Sequence, residues 1–236
     1  MIIDKLKIKI FADGADRESI IKLNENKHIK GFTTNPSLMK KAGIKDYKAF
    51  ALEILPKINK PISFEIFADE PQEMQKQAEE ISSWGKNIYV KIPVTNTKGI
   101  STNEIIKNLS SQGIKLNITA IFTNEQLKNV LIAINKETPT ILSVFAGRIA
   151  DAGYDPEEIL KKSVLLCREY SKCEVLWAST RETYNILQAE KCGCQIITVP
   201  HEILSKLKNL GKDLEEYSLE TVNSFYKDAK EAGFKI

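Results

Sequence analysis

Histidine is almost missing from this chain of 236 residues: only His28 and His201 occur. That scarcity disfavours metal centres built on imidazole ligands and hydrolytic triads that need a histidine base. There are four cysteines (Cys167, Cys173, Cys192 and Cys194), too few for a disulfide scaffold, and C-G-C falls one residue short of C-x-x-C. They read as reduced thiols in a cytoplasmic protein. No apolar run is long enough to cross a bilayer, and the first residues, MIIDKLKIKI, do not read as a signal peptide. The formal net charge is only +3 and is spread along the chain, which gives no case for nucleic acid or an anionic membrane as partner. G-x-G-x-x-G is absent, as is any Pro/Ser-rich linker or low-complexity stretch, so the chain reads as one domain, residues 1–236. Arginine is scarce too. Thirty of the 34 basic residues are lysine, and Arg17, Arg148, Arg168 and Arg181 are the exceptions, which suits places that need a flat bidentate fork.

What the chain does contain is one unit repeated. Period-2 apolar runs predict strands at 8–13, 29–35, 61–68, 88–94, 115–122, 140–146, 174–179 and 195–199. Helical patterns alternate with them: 16–25, segments within 36–58 broken at Gly43, 72–84, 103–111, 123–136, 155–170, a stretch to 191, and one to 210. Thr123 to Gln126 matches a capping box, and Asp155-Pro156 an N-cap followed by proline at the first helical position. A final helix spans about 214–232. Eight strand–helix units in series predict an α/β fold, a single (β/α)8 TIM barrel with an extra C-terminal helix. A doubly wound open sheet has the same local pattern, but eight units without a dinucleotide fingerprint favour closure.

In a barrel, functional groups sit on the C-terminal halves of the strands and in the loops beyond them. The stretch Ile88–Val94, IYVKIPV, puts Lys91 in the middle of an otherwise apolar strand. A strand-end lysine can simply snorkel into solvent. Lys91, however, has company at matching positions: Asp13, Thr34 and Asn35, Glu65, Asn117 and Thr119, Ser143, and Ser179. A desolvated lysine can lose its proton and attack a ketone to form an imine, which draws electrons and lets a nearby C–C bond break. Two carboxylates, Asp13 and Glu65, could divide the proton transfers that this needs. The runs S-V-F-A-G-R (Ser143–Arg148) and A-S-T-R (Ala178–Arg181) each place a serine and an arginine just past a strand, a pairing suited to phosphate.

With these residues in view, the sequence resembles the transaldolase family of class I Schiff-base aldolases, in the small-subunit branch that includes fructose-6-phosphate aldolases. The resemblance runs in order through FADGAD, GFTTNPSL, ISFEIFA, VKIPVT, KLNITAIFT, SVFAGRIAD, WASTRE and GCQIITVP. It implies Lys91 as the Schiff-base lysine and Asp13 as the acid/base on the substrate's C4 hydroxyl. Glu65 would act through a water held with Thr119. Thr34, Asn35, Asn117 and Phe145 would contact the sugar, and Ser143, Arg148, Ser179 and Arg181 its phosphate. No metal or cofactor is implied. Aldolases of the branch carry glutamine where this chain has Glu65 and tyrosine where it has Phe145, so the resemblance favours transaldolase. The implied reaction, of the pentose phosphate pathway, moves a dihydroxyacetone unit from sedoheptulose 7-phosphate or fructose 6-phosphate to an aldose phosphate. A fructose-6-phosphate aldolase, or an enzyme for another phosphosugar, is the alternative, and a binding protein without chemistry the competitor from another class. Gly14, where the family more often has threonine, removes a hydroxyl beside Asp13. The resemblance also implies a homo-oligomer, a pentamer or decamer.

Overall fold

The structure is a computed structural model that describes residues 2–235. Eight parallel strands close into a barrel in the order of the chain: β1 (Lys9–Asp13), β2 (Ile29–Thr33), β3 (Ile62–Glu65), β4 (Ile88–Pro93), β5 (Leu116–Ile121), β6 (Thr140–Val144), β7 (Cys173–Trp177) and β8 (Ile196–Pro200). The expected (β/α)8 architecture is therefore present. Alternation within each strand divides the side chains. On β4, Ile88, Val90 and Ile92 join the large apolar layer beneath the helices, whereas Tyr89 packs against a small interior cluster with Phe11, Ile141, Leu176 and Ile196. That interior cluster fills the barrel, and the polar residues lie on the same inward face, one step further along their strands.

The outer ring comprises α1 (Arg17–Asn24), α2 (Pro36–Lys41), α3 (Tyr47–Ile54), α4 (Pro71–Ser83), α5 (Asn103–Ser111), α6 (Asn124–Ala133), α7 (Ala146–Asp151), α8 (Pro156–Leu166), α9 (Asn185–Cys192) and α10 (His201–Leu204). Their starts follow the chemistry of the cap residues. Asp16 accepts from Ser19 N at 2.8 Å to start α1, and Thr123 with Gln126 forms the expected capping box at α6. Three regions depart from the sequence pattern. Strands β2 and β3 end sooner than their apolar runs: Asn35 already serves as the N-cap of α2, and past Glu65 the N–H groups of Phe67 and Ala68 donate to the Gln77 side chain. An extra short helix, α7, begins directly after β6. The segment after β8 is one helical turn, α10, followed by a 3-10 turn at Leu207–Asn209, where a full outer helix was expected. The last helix, α11 (Leu214–Glu231), forms as expected but buries none of its residues.

Candidate active site

Asp13, Glu65 and Lys91 end up together because β1, β3 and β4 present them at the same level of the barrel. Glu65 and Lys91 are register partners across β3 and β4. Lys91 Nζ lies 2.9 Å from Glu65 Oε2 and donates to the Thr34 carbonyl at 3.1 Å. The lysine side chain is only 9% exposed and the glutamate 15%, so this is a charge pair largely out of solvent. Burial raises the pKa of Asp13, opposed first by the positive charge of Lys91 and then by the hydrogen bond from Thr33. Thr33 Oγ1 donates to Asp13 Oδ1 at 2.6 Å and also meets Thr198 Oγ1 of β8, the strand on the other side of β1.

These groups floor a cavity of about 210 Å³. Of the twelve residues that the sequence singled out, nine line it: Asp13, Asn35, Lys91 and Thr119 on one side, Ser143, Phe145, Arg148, Ser179 and Arg181 on the other. Glu65 reaches it through Lys91. Thr34 and Asn117 are turned elsewhere. Thr34 Oγ1 donates to the Ser63 carbonyl at 2.8 Å, and its main-chain carbonyl is what meets the lysine. Asn117 is fully buried, donating to Ser63 Oγ at 2.9 Å and accepting from Ser143 Oγ at 2.7 Å. Asn35 combines two tasks: it lines the cavity and accepts from Leu38 N at 2.9 Å as the cap of α2.

Local backbone irregularity aims two of these side chains. On β5 the register with β6 shifts between Ile118 and Ile121, and Ala120 takes a φ of 58°, a bulge that turns the strand at Thr119. Thr119 Oγ1 is left buried with no hydrogen-bond partner among the described residues. Ser179 has a φ of 65°, rare for a residue with a side chain. It lies against Gly147 in the first turn of α7, where a Cβ would stand 1.6 Å from the Ser179 carbonyl oxygen. Only glycine lets α7 come this close, and Arg148 is the next residue along. The arginines differ in their company. The Arg148 guanidinium sits 5.3 Å from the centre of the Phe145 ring, which in turn packs on Phe122. Arg181 is clasped by Asp151, with Nε 3.1 Å from Oδ2, a contact that holds the Asp151 carboxyl below its ordinary range.

Sequence reasoning missed Thr33, Thr180, Thr198 and Pro200 on the cavity wall. Period-2 alternation on β2 and β8 would have put Thr33 and Thr198 on the inner face, but a threonine in a strand carries little signal by itself. It also missed Asp151, Gly147 and His201. The His201 imidazole occupies the space beside Gly14, its Nε2 3.0 Å from where a Cβ would be and without a hydrogen-bond partner among the described residues. The gap left by Gly14 is thus filled by an aromatic ring from the start of α10. Among the described residues, no group of three or more His, Cys, Asp or Glu is arranged to hold a metal ion.

The chain is similar to known proteins along most of its length. Residues 10–236 match the family described as transaldolase/fructose-6-phosphate aldolase. A probable transaldolase of Dehalococcoides mccartyi is 37% identical over 203 residues, 85% of this chain and 90% of that protein. One from Thermoanaerobacter sp. is 35% identical over 230 residues, 97% of this chain and all of its own length. Another, from Methanococcus maripaludis, is 35% identical over 203 residues, 86% of this chain and 90% of its own. A closed eight-stranded barrel, a lysine–carboxylate pair at its mouth and matches spanning nearly the whole sequence lead to one conclusion: the chain is an enzyme of the transaldolase/fructose-6-phosphate aldolase family.

Proposed function

We propose that the protein is a transaldolase that carries a dihydroxyacetone unit between sugar phosphates through a Schiff base on Lys91. The observation that carries this reading is the lysine itself, held out of solvent between the Glu65 carboxylate and the Thr34 carbonyl at the floor of the cavity. Once neutral, Lys91 attacks the C2 carbonyl of the ketose phosphate, and loss of water from the carbinolamine gives the protonated imine. The hydroxyl of Thr119, buried and without a partner among the described residues, suits it to hold the water through which Glu65 moves those protons. Asp13, whose pKa is raised by burial, suits removal of the C4 hydroxyl proton. The C3–C4 bond then breaks, its electrons pass to the imine, and an aldose leaves as an enamine forms on Lys91. Attack of the enamine carbon on an acceptor aldehyde, with Asp13 returning its proton to the new alkoxide, followed by hydrolysis, completes the transfer. Arg148 and Arg181, with Ser143 and Ser179, face the cavity where a phosphate would lie.

Transfer, as opposed to release of free dihydroxyacetone, is supported by Phe145. Its ring packs against Phe122 and Arg148 and offers no proton to the enamine. Sedoheptulose 7-phosphate and fructose 6-phosphate are the expected donors, in the pentose phosphate pathway, and the four buried free thiols suit a reducing cytoplasm. Self-assembly is part of the proposal. Leu219, Val222, Phe225 and Tyr226 stand exposed along α11. A mostly apolar groove of about 570 Å³, lined by Ile3, Leu23, Ile29, Leu204 and Leu207 among others, opens where the segment after β8 is short. The decisive experiment reduces the enzyme with borohydride in the presence of fructose 6-phosphate and locates the added mass. An adduct on Lys91, with transfer to an acceptor outrunning release of dihydroxyacetone, is expected. An adduct with equal release would turn the assignment to aldolase, and no adduct would leave a binding protein.

A further inference from the structure

Glu65 sits at a place where the barrel wall is incomplete. Strand β2 ends at Thr33, which pairs with Ser63, and the last main-chain contact across this edge is Thr34 N to the Ser63 carbonyl at 3.1 Å. Strand β3 runs on to Glu65 to reach its partner Lys91, so the β2-facing N–H and C=O of Glu65 have no strand beside them. An unpaired main-chain group away from water is costly, and a frayed strand end would leave the carboxylate loosely placed. The phenol of Tyr47, from the first turn of α3, fills this role. Its oxygen accepts from Glu65 N at 2.8 Å and donates to Glu65 O at 3.0 Å. One hydroxyl thus satisfies both main-chain groups of one residue, as the missing strand would have done.

The phenol is itself held firmly. Its ring meets Phe64, Phe67 and Trp84 at centroid distances of 5.8, 5.6 and 6.1 Å, the first two edge-on. Burial raises the phenol's pKa, so its proton is present throughout the working pH range and the donor to the carbonyl is always available. The serial arrangement is therefore ring cluster, hydroxyl, Glu65 main chain, Glu65 carboxylate, Lys91.

We infer that Tyr47 is a positioning residue for catalysis, replacing the absent end of β2 so that the Glu65 carboxylate is held at Lys91. The inference rests on Glu65 serving in proton transfer at the imine. A displacement of about 1 Å in such a group lowers rates by up to about a hundredfold. Tyr47→Phe keeps the ring and removes only the hydroxyl, while Leu160→Val trims the buried face of α8 and leaves the Tyr47 contacts in place. With fructose 6-phosphate as the probe, time-resolved borohydride trapping should show Lys91 adduct formation, and kcat, falling about ten- to a hundredfold in Tyr47→Phe with KM changed less than about threefold. Leu160→Val, destabilising but remote from these groups, should keep kcat within about twofold of the parent. Hydrogen exchange of the intact enzyme adds a readout that needs no variant: the Glu65 amide should be protected well beyond an unpaired strand end. Tyr47→Phe with parental trapping and kcat, or a Glu65 amide exchanging like a free one, would overturn the inference while leaving the Schiff-base reading intact. A parent enzyme that traps no adduct would bring down both.

Discussion

Replacing Gly147 by alanine tests the geometry of the phosphate side of the cavity more directly than removing an arginine. An alanine Cβ would stand 1.6 Å from the Ser179 carbonyl oxygen, whereas ordinary contact begins at 3.4 Å, so α7 and the loop after β7 must part by about 1.8 Å. The listening partner on one side is backbone, which cannot swing away as a side-chain tip could. That opening breaks the hydrogen bond from Gly147 N to the Ala178 carbonyl, 3.3 Å long, and carries Arg148 with the helix. Overpacking of this kind costs about 1–3 kcal/mol, which in a chain of this length lowers Tm by about 2–12 °C. A shift of 1.8 Å takes a guanidinium out of hydrogen-bond reach of a fixed phosphate, and a charge-assisted hydrogen bond is worth about 1.5–3 kcal/mol. KM for fructose 6-phosphate should therefore rise about ten- to a hundredfold, while turnover of unphosphorylated fructose changes little. Thermal unfolding and steady-state kinetics on both sugars measure this. A variant with an unchanged KM for the phosphate ester and a Tm within about 1 °C of the parent would refute the claim that this contact sets the site.

Three further outcomes follow from the same structure. Lys91→Met should lose all transfer activity and also lose stability by up to about 3–5 kcal/mol, because Glu65 would be left in a sheltered place without its 2.9 Å partner. Chemical denaturation reads this, and a Glu65→Gln change added to the same variant should restore part of the loss; no loss in the single variant would mean that the pair is solvated. Asp13→Asn should be inactive yet more stable near neutral pH. The folded-state pKa of Asp13 lies above its ordinary value of 3.8, so its contribution to stability is complete below pH 3.8 and is lost as pH rises through the folded-state pKa. The Tm gain of the variant should accordingly shrink on acidification toward pH 4, and a gain independent of pH would disprove the assignment of the cost to the carboxylate. Finally, burial pushes the thiols of Cys167 and Cys173 up to about 12 and that of Cys192 up to about 11, and raises Cys194 as well. The native enzyme should react with a disulfide reagent only on the timescale of unfolding, and a thiol titrated within seconds would contradict the packing.

The barrel and the position of its chemistry were legible in the sequence because both depend on period. Alternation along Ile88–Pro93 sends Ile88, Val90 and Ile92 outward and Lys91 inward whatever the neighbours are, and eight such runs separated by helical segments leave few ways to close a sheet. The segment after β8 misled for the same reason: its apolar residues suit a helix, but its length and its neighbours decide whether one forms. Side-chain pairing across the barrel was beyond the sequence. The pattern puts Asn117 on the inner face, but only the fold brings Ser63 and Ser143 within hydrogen-bond distance to hold it. Thr34 faces the right level, yet its hydroxyl goes to the Ser63 carbonyl.

What the sequence by itself determined, then, is the barrel and the level at which Asp13, Glu65 and Lys91 meet, since local periodicity and strand order are properties of the chain. What only the tertiary structure decided is how closely each group is held. The left-handed turns at Ala120 and Ser179, the approach of Gly147 to the Ser179 carbonyl, and the Tyr47 hydroxyl on the Glu65 main chain all arise between segments distant in sequence. No local preference specifies them, because each exists only once the closed barrel has brought its two sides together.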